Sequence, residues 1–168
     1  MAITAADRPW LGHYPPGMPA DIDAGQYRSL VELLENSFSQ YAGRKACSFM
    51  GCDFSYAELD RRSRELAACF QRLGLRPGER IAVMLPNIPQ YPVTVAAILR
   101  AGCVVVNVNP LYTPRELEHQ LNDSGASAIV LLENFAATLQ ACLARTGLRQ
   151  VLLCAMGDML GLFRGALV

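Results

Sequence analysis

Apolar positions along this chain recur with two spacings, and the change from one to the other marks out the elements. Leu30, Leu33, Leu34, Phe38 and Tyr41 form a stripe at helical spacing and predict a helix over residues 29–41. Two short apolar runs, 46–49 and 52–54, bracket Gly51 and predict a β-hairpin. Ser55-Tyr56-Ala57-Glu58 has the form of a capping box, in which Ser55 and Glu58 each satisfy a backbone N–H at a helix start. Leu59, Leu66, Ala67, Phe70 and Leu73 then share one face, arginines and acids take the other, and Gly74 ends the helix.

From residue 81 the pattern alternates strand and helix. A buried strand over 81–85 leads to a helix over about 88–101, with Pro89 and Pro92 in its first turn and Gly102 as its stop. The uninterrupted run Val104-Val105-Val106 reads as a strand covered on both sheet faces. Thr113-Pro114-Arg115-Glu116 is a second capping box, and its helix ends near Ser124-Gly125. Strands at 129–132 and 151–154 flank a helix marked by Phe135, Leu139, Cys142 and Leu143. This succession predicts an α/β fold: a doubly wound, mostly parallel sheet flanked by helices, with right-handed crossovers, preceded by the short β-hairpin. Residues 1–25 are proline-rich and aperiodic and are expected to form an irregular arm; 26–168 are expected to form one α/β unit.

Composition narrows the function classes. The 168 residues are 52% apolar and 18% charged, which suits one globular domain. Net charge is zero, so no basic footprint favours nucleic acid. The longest apolar stretch is cut by Arg100, short of a membrane span, and the first residues carry no secretory pattern. Six cysteines lack any C-x-x-C spacing and only two histidines accompany them, so no zinc site or disulfide framework is expected. Reduced thiols filling the core are expected instead, which favours the cytoplasm.

A sheet of this kind invites a nucleotide reading. Yet there is no G-x-x-x-x-G-K-[ST], no G-x-G-x-x-G after a strand and no G-x-S-x-G elbow. The strand ends carry Asn87, Asn107 and Asn109 where a magnesium-binding phosphoacceptor would place acids. Ligands in open α/β sheets lie beyond the carboxyl ends of the strands, which makes Asn87, Asn109 and Tyr112 the substrate-binding candidates. Each has a structural alternative: a helix cap for Asn87, a turn before Pro110 for Asn109, packing or a subunit contact for Tyr112. His119, among Glu116, Glu118 and Gln120, reads as a surface hydrogen-bonding group, since no nucleophile accompanies it.

Several motifs carry a family resemblance. The run FSYAEL at 54–59 is similar to the first core motif of the adenylate-forming enzymes, and LRAGCVVVNVNP at 99–110 to the second. The combination NPLYT at 109–113, HQ at 119–120 and DSGA at 123–126 resembles bacterial long-chain fatty acid–CoA ligases, with Val108 replacing the usual threonine. GDML at 157–160 fits as well, so the resemblance runs from about Trp10 onward. It implies an N-terminal subdomain of an AMP-forming acid–thiol ligase, with ATP, Mg²⁺ and coenzyme A serving the intact enzyme and a long-chain fatty acid as its substrate. The phosphate-gripping loop, the ribose-binding acid and the adenylation lysine of such enzymes have no counterpart here. No catalytic or metal-binding residue is therefore carried over, and the chain alone is expected to be inactive and prone to self-association. The resemblance is also compatible with a homodimer of the parent and peripheral contact with the inner face of the cell membrane. The alternatives are another acid–thiol ligase of the superfamily, or a stand-alone fatty-acid-binding or interaction module without catalysis. Gly157, Gly161 and Gly165, with Met156, Leu160, Phe163 and Leu167 between them, have the spacing of an amphipathic contact segment.

Overall fold

Two central strands, β3 (Arg80–Met84) and β5 (Ala128–Leu132), organise the molecule because they send alternate side chains to opposite sides of one sheet. Ile81, Val83, Val130 and Leu132 face α2 (Tyr56–Arg72) and α3 (Gln90–Arg100) in one core. Met84, Ile129 and Leu131 face α4 (Pro114–Ser124) and the short α5 (Ala136–Gln140) in another. β4 (Val104–Asn107) and β6 (Gln150–Cys154) complete a parallel sheet in the order β4-β3-β5-β6, with Ile81 in register with both Val105 and Ala128, and Ala128 with Gln150. The computed structural model describes residues 8–161 and 165. The doubly wound, helix-flanked parallel sheet is thus the fold expected from the alternating pattern.

A third core attaches the N-terminal elements. Phe38 of α1 (Leu30–Gln40), Phe54 of β2 (Cys52–Ser55) and Leu59 of α2 meet Val93, Ala96, Met159 and Leu160. β1 (Lys45–Phe49) pairs antiparallel with β2 across Met50-Gly51, whose φ values of 48° and 72° supply the left-handed turn a tight hairpin needs. Arg100 clamps the helices together. Its side chain is only 8% exposed; the guanidinium bonds the Asp60 carboxylate and the Asp60 carbonyl (3.0 Å), lies 3.6 Å from Glu35, and sits over the Phe38 ring at 5.1 Å. Before α1, Pro9–His13 form one 3₁₀ turn with no buried residue, and Arg8 pairs with Asp21 at 2.6 Å.

Several expected details differ. α3 begins at Gln90, not Ile88, with Pro89 at the N-cap, because a residue preceding proline is driven out of helical geometry. Ser55 caps α2 by accepting from Glu58 N at 3.2 Å, but the reciprocal half of the box is missing. The Glu58 carboxylate accepts from Arg62 instead (2.9 Å), and Ser55 still belongs to β2, in register with Lys45. The 104–106 run is an edge strand, so Val104 is 45% exposed and the strand is not covered on both faces. The helix expected around 135–143 breaks into a 3₁₀ turn (Glu133–Phe135), the five-residue α5 and a second 3₁₀ turn (Leu143–Arg145). No side chain caps its start, and Leu139 is the one residue of α5 that is buried. Of the six cysteines, Cys103 and Cys142 are buried and the other four only partly so. Phe163 and Leu167 of the glycine-spaced tail lie outside the described residues.

Candidate functional site

The carboxyl ends of β3 and β4 open onto two neighbouring recesses. After β3 the chain turns sharply, with Ile88 N–H donating to Pro86 O at 2.8 Å, and leaves Asn87 exposed. Asn87 does not cap α3, whose N-cap is Pro89 with no side-chain bond. It lines a cleft of about 350 Å³ with Phe49, Ile88, Tyr91 and Pro92, roofed by Cys47 and Ser48 of the hairpin. After β4, Asn109 folds onto its own backbone: Oδ1 accepts from Leu111 N at 3.0 Å and the carbonyl from Tyr112 N at 3.1 Å. That is an Asx turn, the structural alternative weighed for this residue.

Tyr112 is half-buried against the α4–α5 core and lines the second recess, about 250 Å³, with Glu116, His119, Gln120 and Asp123. The fold therefore brings Tyr112 and His119 together and leaves Asn87 in the neighbouring cleft. A hydrogen-bonded link joins the two. Tyr91 Oη donates to Asn107 Oδ1 (3.1 Å), and Gln120 Nε2 donates to the Asn107 carbonyl (2.8 Å). Gln120 Oε1 is buried and accepts no hydrogen bond. Tyr91 and Gln120 were not among the sequence candidates. The signal for them is positional: each lies on a helix that packs over the end of β4, which is visible only once strand order is known.

The carboxyl groups around the second recess are held by neighbouring residues of the fold. Backbone and side-chain hydrogen bonds from Thr113 hold the Glu116 carboxyl below its ordinary range, because its oxygen closes the α4 cap (Thr113 N to Oε2, 2.8 Å). Arg145 does the same to Glu118 through a 2.8 Å bond. Burial pushes the Cys47, Cys103 and Cys142 thiols up, and Cys154 is pushed to about 11 by burial, then Asp158 and Glu133. Thiols so placed stay protonated and are poor nucleophiles. Among the described residues no three His, Cys, Asp or Glu side chains converge to hold a metal ion. Neither a carboxylate set for magnesium nor a glycine-rich phosphate cradle is present among them, so a nucleoside triphosphate and its metal do not fit these residues alone. No helix of the described residues is long and apolar enough to cross a membrane.

Comparison with known proteins places these features in a family. The chain is 52% identical over 160 residues to a long-chain-fatty-acid–CoA ligase of Escherichia coli O157:H7, a match covering 95% of the chain and 28% of that protein. Its fold is similar to that of a long-chain-fatty-acid–CoA ligase from Archaeoglobus fulgidus (TM-score 0.69, 27% identity, 75% of this chain and 27% of that one). It is equally similar to a benzoate CoA ligase from Burkholderia xenovorans LB400 (TM-score 0.69, 27% identity, 74% and 25%). The chain thus spans about a quarter of the length of these relatives. Residues 34–161 match the model of the AMP-binding enzymes, and the chain belongs to that family.

Proposed function

We propose that this chain is the N-terminal scaffold of an AMP-forming long-chain fatty acid–CoA ligase. The observation that carries the reading is the 52% identity to such a ligase across 95% of the chain. In the longer enzyme a fatty acid carboxylate oxygen bonds to the α-phosphorus of ATP and pyrophosphate leaves; the sulfur of coenzyme A then bonds to the acyl carbon and AMP leaves. Mg²⁺ bound by residues of the longer enzyme would offset the phosphate charge. The contribution of this chain is the rigid α/β layer beside the reacting groups, with residues 1–25 as an arm and 26–168 as the subdomain. Asn87, Asn109 and Tyr112 are its part of the substrate path; their position beyond β3 and β4 supports that role. The enzyme works in the cytoplasm, with peripheral contact at the inner membrane face and a homodimeric parent as the arrangements to test.

By itself the chain lacks the groups that grip a triphosphate. Pyrophosphate exchange into ATP with oleate is expected to stay at the level of a blank, and calorimetric titration with oleate or ATP–Mg²⁺ is expected to show no binding to the folded chain. Exchange above the blank would overturn the scaffold reading. Micromolar oleate binding without ATP would instead favour the stand-alone binding module.

A further inference from the structure

The amino ends of the strands, opposite the recesses, carry a concentration of arginine. Arg72 ends α2, Arg76 lies in the turn that follows, Arg80 opens β3, and Arg149 directly precedes β6; all four are exposed. Backbone pairing draws these segments into one face. Arg149 N donates to Ser127 O (2.8 Å), Ser127 N to Arg80 O (2.9 Å), and Gln150 Nε2 to Leu73 O (3.4 Å). Glu79 is the only acid in the segments 72–80, 102–104, 125–127 and 147–150 that make up this end. It is already engaged, accepting from Arg149 at 2.6 Å and from Arg76 N at 3.1 Å. Among the described residues neither Arg72 nor Arg80 pairs with a carboxylate.

Four arginines against one glutamate give the face a charge of +3 in a chain whose net charge is zero, so the rest of the chain carries −3. The C-termini of α2, α3 and α4 also lie here, each worth roughly half a negative charge, and offset only about half of that excess. Arg72 in the last turn of α2, and the Arg80 guanidinium beside the α4 C-cap Gly125, answer two of those dipoles. Local structure thus explains part of the cluster and leaves the face positive. Leu73 and Val104 stand among the arginines at 37% and 45% exposure. A five-residue strand spans roughly 17 Å, which separates this face from the recesses lined by Asn87 and Tyr112.

We infer that this face docks the protein on an anionic phospholipid surface. The guanidinium fork matches phosphate oxygens two at a time, and Leu73 and Val104 enter the interface between the headgroups. A free anion would leave these apolar side chains without a role, and the zero net charge of the chain argues against nucleic acid. Docking through the amino ends of the strands leaves the recesses at their carboxyl ends open to water, where ATP and coenzyme A are found. The choice of lipid rests on the proposed peripheral contact; the location of the contact rests on the arginines alone.

The test is co-sedimentation of the 168-residue chain with phosphatidylcholine vesicles, with and without phosphatidylglycerol. Binding is expected only with the anionic lipid, and added salt should weaken it. Arg72→Gln, Arg76→Gln and Arg80→Gln should each weaken it ~5-fold, about 1 kcal/mol, and the three together roughly 100-fold. Arg115→Gln, at an exposed position on the first turn of α4, should leave binding unchanged. All four substitutions are at exposed positions, so unchanged thermal melts confirm that the fold is intact. Undiminished binding in the triple variant would overturn the inference while leaving the peripheral contact standing on another surface, and so would an equal loss in Arg115→Gln. Absence of vesicle binding would overturn both. Retention on immobilised polyglutamate that the triple variant loses, without vesicle binding, would make an acidic protein the partner instead.

Discussion

β5 and β6 lie side by side in register from Ala128 opposite Gln150 to Leu132 opposite Cys154, and both are short and mostly apolar. Every residue of β5 is buried and none of β6 is. The difference is not composition. β5 has a helix layer over each face, whereas β6 has a partial layer on one side and the broken α5 on the other. An apolar strand is thus a statement about what it needs, and the helices decide whether that need is met within this chain. Leu131→Ala should show this most strongly. It removes a fully buried side chain and is expected to cost about 3 kcal/mol, whereas Leu153→Ala is expected to cost less than about 1 kcal/mol. Urea denaturation of both variants measures the gap, and equal losses would break the comparison.

The same contrast explains what could be read from the sequence. Strand and helix alternation was most legible where a helix start carries its own signal: Ser55 and Thr113 both cap, as their spacing implies. Gly102 and Gly125 stop their helices at φ 72° and 62°. Edge and centre were not legible. Val104-Val105-Val106 and Ala128–Leu132 have similar composition, and only the strand order separates them. The site was half legible. Tyr112 and Asn87 could be placed beyond strand ends, but the Tyr91–Asn107–Gln120 link joins residues from three elements whose proximity is tertiary. Asn87 misled as a cap because Pro89 displaced the helix start.

The cover over β5 has its own electrostatic fastener, which gives the next test. Burial alone would raise the Asp60 carboxyl, but hydrogen bonds and charge from Arg64 and Arg100 outweigh it and hold the group below the ordinary aspartate value of 3.8. A depressed carboxyl contributes stability that is present above the unfolded value and lost as pH falls through the folded one. Stability should therefore decline below about pH 4, and Asp60→Asn should flatten that acid limb while costing about 1–3 kcal/mol at neutral pH. Urea midpoints at a series of pH values measure both. An unchanged acid slope in the variant would mean that the Arg100 clamp does not fasten α2 to α3, and that apolar packing alone covers β5.

The smallest effects come from the two capping motifs, which look alike in sequence and differ in the fold. At α4 the box is closed: Thr113 Oγ1 accepts from Glu116 N, and the Glu116 carboxylate accepts from Thr113 N. At α2 only Ser55 caps, since Glu58 is engaged with Arg62. Thr113→Ala should cost about 1 kcal/mol, because a helix-start N–H loses its acceptor. Glu116→Ala should lower the melting midpoint measurably, while Glu58→Ala should move it less, because a half-buried i,i+4 ion pair on a helix surface contributes only a few tenths of a kcal/mol. α4 covers the second face of β5, so loosening its start should also raise hydrogen exchange at Ile129 and Leu131, which pack beneath it. Exchange that rises instead only in α4 itself would show that the buried strand holds its cover, rather than the cover holding the strand.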